Sequence, residues 1–174
     1  MKLLIPSAKE LNEQARIVEP QPLSENTKTI LQALKQFSLE ELATFYGISE
    51  ERALVEKERI EALLAGSAKT YPALELFDGL MYRSIERQDL SQKEQVYLQE
   101  HLLITTALYG VLPAYEGIAP HRLDFMMKLK PAGKSLKLLW KEDYDQAVEG
   151  EEQILSLLSS EFEQVFSKGI RERM

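Results

Sequence analysis

The chain has 174 residues, 44% of them hydrophobic and 28% charged, with a net charge of -7 at pH 7. This composition predicts one domain over residues 1–174 with a sizeable core, and the acidic excess disfavours attraction of the whole molecule to nucleic acid while permitting a local basic face. The absence of cysteine excludes disulfides, thiol peroxidase chemistry, iron–sulfur clusters and cysteine-ligated zinc.

The chain begins with a segment that predicts a strand. Lys2–Pro6 is apolar at its centre, and its apolar run is too short for the core of a secretory signal. No other apolar run approaches the length that crosses a membrane. We therefore expect a cytoplasmic protein without a membrane partner.

Residues 38–64 predict a helical hairpin. Ser38 and Glu41 have the spacing of a capping box, Gly47 is suited to a turn, and Ser49 is suited to capping a second helix. An earlier helix, capped by Ser24, precedes this hairpin.

The second half of the chain continues the alternation of strands and helices, which predicts an α/β fold (a mixed α+β fold is the alternative), with a short central sheet flanked by helices. The predicted elements, in order, are an extended segment over Tyr71–Leu80 broken at Asp78-Gly79, a helix from Ser91 to about His101, a strand at Leu103–Thr106, a helix over Ser135–Val148, a strand at Ile154–Leu158 and a final helix from Ser159.

The run from Leu103 to Met126 is the first place to look for a site. Its buried-looking strand leads into a segment rich in glycine, proline and tyrosine, which predicts a rigid turn from Tyr109 to Pro120. Ligands of α/β proteins gather at the ends of such strands. Tyr109 and Arg122 are therefore candidate site residues.

Charge is segregated along the chain. Residues 38–64 contain seven acidic and three basic residues, whereas residues 120–141 contain six basic residues and one acidic residue. The second segment would attract an anionic ligand. A solvated lysine-rich helix face and loop is the alternative.

Six short segments in a fixed order span nearly the whole chain. They are Ile5–Lys9; Pro72–Leu74 with Phe77–Gly79 and Tyr82-Arg83; Leu108–Leu112; Pro120–Leu123; Trp140; and Leu158–Phe162. Together they resemble the YaaA family of bacterial peroxide-stress-resistance proteins, formerly an uncharacterised protein family.

The resemblance implies a cytoplasmic role in limiting iron-dependent oxidative damage and binding of double-stranded DNA through a basic cleft. It also implies a mixed α/β fold with a helix-hairpin-helix-like element, for which residues 38–64 are the candidate. Their negative charge opposes phosphate binding, so a hairpin that only packs against the core is the alternative.

The chain departs from the family in two places. Leu112 is followed directly by Pro113, where the family usually has an intervening arginine. Family members also extend beyond the position of Met174, so we expect this chain to lack the C-terminal portion.

The resembling segments place charged side chains beside strand ends. The candidates for catalysis are Lys9, Asp78 and Glu161, and the candidates for ligand or DNA binding are Lys9, Arg83, Tyr109, Arg122, Lys128 and Lys130. Lysine and arginine could hold a phosphate or carboxylate, while Asp78 or Glu161 could act as a general base. Structural roles are the alternative, an Asx-turn for Asp78 and a helix N-terminus for Glu161.

Direct iron binding is disfavoured by ligand spacing. Neither His101 nor His121 has a glutamate three residues before it, as a di-iron carboxylate site requires. We expect no metal site and no cofactor.

Three hypotheses remain open. The favoured one is a DNA-binding stress protein whose affinity falls when Arg122 and Lys128 are replaced. The second is an enzyme acting on a small phosphorylated or carboxylated metabolite in a pocket that joins Lys9, Tyr109, Arg122 and Glu161. The third is an interaction module whose glutamate-rich residues 50–61 bind a basic partner.

Overall fold

The main sheet of the protein has four strands, in a computed structural model that describes residues 1–174. All strands of the protein are β1 (Lys2–Pro6), β2 (Tyr71–Pro72), β3 (Leu102–Thr106), β4 (Gly110–Pro113), β5 (Gly117–Ile118) and β6 (Ile154–Ser156). The main sheet has the order β4-β3-β1-β6, in which β1 is parallel to β3 and β6, and β4 is antiparallel to β3. Strands β2 and β5 form a separate antiparallel pair.

Helices surround this sheet, which confirms the predicted α/β fold class. They are α1 (Glu25–Lys35), α2 (Leu39–Tyr46), α3 (Glu50–Ala65), α4 (Ala73–Leu76), α5 (Leu80–Arg83), α6 (Gln92–His101), α7 (Leu136–Ala147), α8 (Ser160–Glu163) and α9 (Lys168–Arg171), with a 3₁₀ turn at Pro131–Gly133. None of the helices has the length and apolar character needed to cross a membrane.

The predicted hairpin over residues 38–64 is present as α2 and α3. The Ser38 hydroxyl accepts a hydrogen bond from the Glu41 N–H and the Glu41 side chain accepts one from the Ser38 N–H, which completes the predicted capping box. Gly47 ends α2 in the left-handed conformation, and Ser49 caps α3.

Strand β3 is the most deeply buried strand of the main sheet, because both of its faces are covered. All five of its residues are buried, as the apolar run predicts. It pairs with β1 in a register that places Leu103 opposite Leu4 and Ile104 opposite Ile5. Their side chains belong to one continuous hydrophobic core, which holds the elements that end near the candidate site.

Two sequence predictions of local structure are wrong. The segment after Gly110 is not a continuous turn, because Gly110–Pro113 forms β4 and pairs back onto β3. Only Tyr71–Pro72 of the predicted extended segment Tyr71–Leu80 is a strand, while Ala73–Leu76 is helical. Short apolar runs have no periodicity long enough to separate strand from helix.

The direction of the strands brings two candidate residues to one edge of the sheet. Since β1 and β6 are parallel, the segments that follow them leave the sheet at the same edge. Lys9 lies just after β1, and Glu161 lies in α8, shortly after β6. The fold thereby brings together residues about 150 positions apart.

Candidate functional site

Three of the sequence-predicted residues, Lys9, Arg122 and Glu161, line one small cavity of about 80 Å³. The remaining lining residues are Ser7, Ala8, His121, Leu123, Asp124, Met127 and Phe162. The cavity therefore lies between the segment after β1, the segment after β5 and the start of α8. It combines two cationic side chains with two carboxylates and one imidazole.

Arg122 is the cationic residue of this cavity that has no carboxylate partner. No carboxylate oxygen lies within 4.0 Å of its guanidinium nitrogens, and its buried Nε has no hydrogen-bond partner. A buried donor left without an acceptor costs about 1–3 kcal/mol. An anionic group bound in the cavity would give the guanidinium the direct partner that the protein does not supply.

Lys9 and Asp124 neutralise each other at the mouth of the cavity. The Lys9 Nζ lies 3.2 Å from Asp124 Oδ2, and the lysine side chain is 69% exposed. The other carboxylate oxygen of Asp124 accepts the N–H groups of Met126 and Met127 at 3.0 and 3.2 Å. Asp124 therefore shapes its own turn and positions the ammonium group of Lys9.

Glu161 has one carboxylate oxygen committed to the backbone. Its Oε1 accepts a hydrogen bond from the Phe125 N–H at 2.8 Å, while no Lys or Arg nitrogen lies within 4.0 Å of the carboxylate. This contact fixes α8 against the segment after His121. The geometry favours a structural and ligand-orienting role for Glu161 over a general base.

His121 lines the cavity, whereas the sequence analysis weighed it only as a possible iron ligand. It is buried, and burial lowers its pKa to about 4. The side chain is therefore neutral at pH 7, and the contact of 2.8 Å between Nδ1 and the Ala119 carbonyl oxygen places the proton on Nδ1. Nε2 is then an acceptor without a protein donor.

Tyr109 lies behind the cavity and does not line it. Its ring packs edge-on to His121, with 5.2 Å between ring centroids, and its hydroxyl oxygen accepts the Ala119 N–H at 3.0 Å. Burial raises the pKa of Tyr109 to about 12, so the hydroxyl stays protonated at pH 7. Tyr109 orients the turn that carries His121. Of the four residues that the enzyme hypothesis places in one pocket, only Tyr109 does not line the cavity.

Asp78 and Arg83 also lie outside the cavity, in a cluster around Arg87. The Asp78 carboxylate pairs with Arg87 Nη2 at 2.7 Å and with Arg83 Nε at 3.5 Å. Arg87, which the sequence did not single out, is 13% exposed and also donates from Nη1 to the carbonyl oxygens of Leu74 and Phe77. These ion pairs favour a structural role for Asp78.

Lys128 and Lys130 lie on the surface. In sequence they closely follow Met127, which lines the cavity. Both are exposed, whereas Leu129 between them is buried. A larger cavity, of about 610 Å³, contains none of the candidate residues. No group of three or more His, Asp or Glu side chains is arranged to hold a metal ion.

Because His121 is buried in its neutral form, we expect the free energy of unfolding to fall on acidification. Its pKa is about 4 in the folded protein and 6.5 in the unfolded chain, so between these values the unfolded state binds more protons. The free energy of unfolding falls as the pH drops below 6.5, and this residue accounts for a loss of about 2 kcal/mol at pH 5. Urea unfolding at pH 7 and pH 5 measures the effect.

The control for this prediction is His121→Gln, which lacks the titrating group. The difference in unfolding free energy between wild type and variant should shrink from pH 7 to pH 5, because only the wild type loses the histidine contribution. Parallel pH profiles for the two proteins would contradict the assignment of a neutral, buried His121.

Comparisons with known proteins agree in placing the whole chain in one family. The sequence matches the family model described as peroxide stress protein YaaA over residues 1–174. UPF0246 proteins of Streptococcus gordonii, Streptococcus sanguinis and Streptococcus pneumoniae are 58%, 59% and 55% identical to it over 174 residues. The match covers all of this chain and 71%, 72% and 72% of those relatives. The chain therefore belongs to the peroxide stress protein YaaA family, and its role is in oxidative stress.

Proposed function

We propose that this protein limits iron-dependent peroxide damage in the cytoplasm by binding double-stranded DNA through a basic face. The face consists of Lys128, Lys130 and Lys134, all of which are exposed. Membership of a peroxide stress family supports the setting. The DNA contact is supported by the local charge of residues 120–141, six basic residues against one acidic residue.

The proposal rests mainly on three exposed lysines that form no ion pair. Lys128, Lys130 and Lys134 are exposed and have no carboxylate within 4.0 Å, whereas Lys141 of the same segment pairs with Asp145 at 3.2 Å. Unpaired ammonium groups exchange salt ions for phosphates without first losing an internal partner. They supply affinity without reading a base sequence.

The helical hairpin is the weaker place for a DNA contact. The first turn of α2 carries Glu40 and Glu41, and the first turn of α3 carries Glu50 and Glu51. Carboxylates already complement the helix N-termini and repel phosphate there. The basic face of residues 128–134 is therefore the contact surface in this proposal.

The test is the double variant Lys128→Gln/Lys130→Gln in DNA binding at several salt concentrations. Each lost phosphate contact reduces the slope of log K against log salt by about 1, so the slope should become shallower by about 2. The loss of affinity should be equal for unrelated duplex sequences. Fluorescence anisotropy with labelled duplexes measures both quantities.

The matched control is Lys93→Gln/Lys168→Gln, which removes the same charge from exposed positions outside the basic face. It should keep the wild-type salt slope. Plasmid nicking by Fe²⁺ and hydrogen peroxide then tests shielding, which the control should retain and the first variant should lose. Absent binding, salt-independent binding or equal losses in both variants would refute the proposal.

A further inference from the structure

The cavity at Arg122 is suited in size and charge to a small anion. The guanidinium is without a carboxylate within 4.0 Å, its buried Nε has no acceptor, and the cavity has a volume of about 80 Å³. Lys9 adds a second cation, but Asp124 already neutralises it at 3.2 Å. Arg122 is therefore the cation of this cavity that makes neither a hydrogen bond nor an ion pair within the protein.

The same cavity also offers acceptors that an ordinary anion would not satisfy. The Oε2 of Glu161 receives no hydrogen bond from the protein, since only Oε1 accepts the Phe125 N–H. His121 directs its Nδ1 proton to the Ala119 carbonyl oxygen, which leaves Nε2 as an unused acceptor. A bare oxyanion would face the Glu161 carboxylate with lone pairs only, which is repulsive.

We propose that the cavity of Lys9, Arg122 and Glu161 binds a small oxyanion that carries a hydroxyl group. The oxyanion accepts from the terminal nitrogens of the Arg122 guanidinium, which have no acceptor in the protein, and the hydroxyl donates to Glu161 or to His121 Nε2. Hydrogen phosphate is the simplest member of this class, and a hydroxycarboxylate is the other. The diester linkages of DNA have no such hydroxyl, so this site is separate from the basic face of Lys128, Lys130 and Lys134.

Two pairs of probes separate the contribution of the hydroxyl group to binding affinity from the contribution of the charge. Hydrogen phosphate and sulfate have nearly the same size and charge at pH 7, but sulfate has no proton to donate; glycolate and acetate differ in the same way. Isothermal titration calorimetry at constant ionic strength should give at least about tenfold tighter binding to the hydroxyl-bearing member of one pair, the effect of one charge-assisted hydrogen bond. The better-separated pair identifies the phosphate or the carboxylate as the source of the oxyanion.

Variants assign the effect to the cavity. Arg122→Gln should weaken binding of the preferred probe by at least about tenfold, because the charge-assisted hydrogen bond is lost. Glu161→Gln keeps an oxygen for the Phe125 N–H but adds an amide donor, so sulfate and acetate should gain affinity and the discrimination should fall. Arg83→Gln, an exposed arginine outside the cavity, is the matched control and should bind as the wild type does.

The result that overturns the proposal is equal affinity within both probe pairs, or binding of the preferred probe that survives Arg122→Gln. Circular dichroism checks folding, and if Arg122→Gln does not fold, Glu161→Gln alone tests the cavity, because unchanged discrimination within both probe pairs in that variant would overturn the proposal. The lysine variant Lys128→Gln/Lys130→Gln should keep binding to the probe while it loses DNA. Failure of either proposal is thereby visible without failure of the other.

Discussion

Gly110→Ala should destabilise the protein by about 3 kcal/mol, the sum of a strained backbone and an overfilled core. Gly110 has a φ of +77°, and a Cβ at this position would lie 2.7 Å from Cζ3 of Trp140. The indole is 2% exposed and donates from Nε1 to the Ala107 carbonyl oxygen at 2.8 Å. It therefore has little freedom to move away, and urea unfolding measures the cost.

Gly150→Ala separates the two causes. Gly150 has a φ of +80°, nearly that of Gly110, but no atom lies within 4 Å of the position of its Cβ. This variant should lose only about 1 kcal/mol, because it carries the backbone strain without the clash. Equal losses in the two variants would show that Trp140 yields without cost and would contradict the explanation.

The hairpin at Gly110 illustrates which local structure the sequence predicts. Capping boxes at Ser38 and Ser91 identify helix starts because the serine and the glutamate three residues later satisfy each other's backbone. Those helices form as predicted. Gly110 correctly predicts a reversal of the chain, but the return of Gly110–Pro113 as a strand depends on the edge that β3 offers for pairing.

The candidate site was predictable to the extent that it depends on strand ends. Lys9 and Glu161 follow strands, and two parallel strands bring them to the same edge of the sheet. Tyr109 follows a strand as well, but its apolar ring is buried behind His121. Local sequence does not distinguish a residue that lines a cavity from one that supports its wall.

His121 and Arg87 were missed for the same physical reason. The environment of each depends on partners that only the folded chain supplies. His121 is neutral because it is buried, and Arg87 is structural because two backbone carbonyls and Asp78 surround it. A polar side chain near apolar segments was the available signal, and it does not specify the partners.

Arg87→Met should destabilise the protein by about 4 kcal/mol, because it leaves buried acceptors without a donor. Arg87 donates to the carbonyl oxygens of Leu74 and Phe77 at 2.6 and 2.5 Å and to Asp78 at 2.7 Å. The Leu74 carbonyl belongs to α4, whose last carbonyls have no helical partner. Methionine preserves most of the apolar stem, so urea unfolding reports mainly the lost hydrogen bonds and charge.

Arg83→Met is the matched control, because Arg83 pairs with the same Asp78 but is 55% exposed. Its ion pairs, at 3.5 Å to Asp78 and 3.6 Å to Glu10, lie in solvent, so its replacement should cost less than about 1 kcal/mol. Adding Asp78→Asn to Arg87→Met should cost less than the sum of the single changes, since the orphaned carboxylate is then neutral. Similar losses for Arg83→Met and Arg87→Met would contradict the view that burial of the carbonyl contacts makes Arg87 a structural residue.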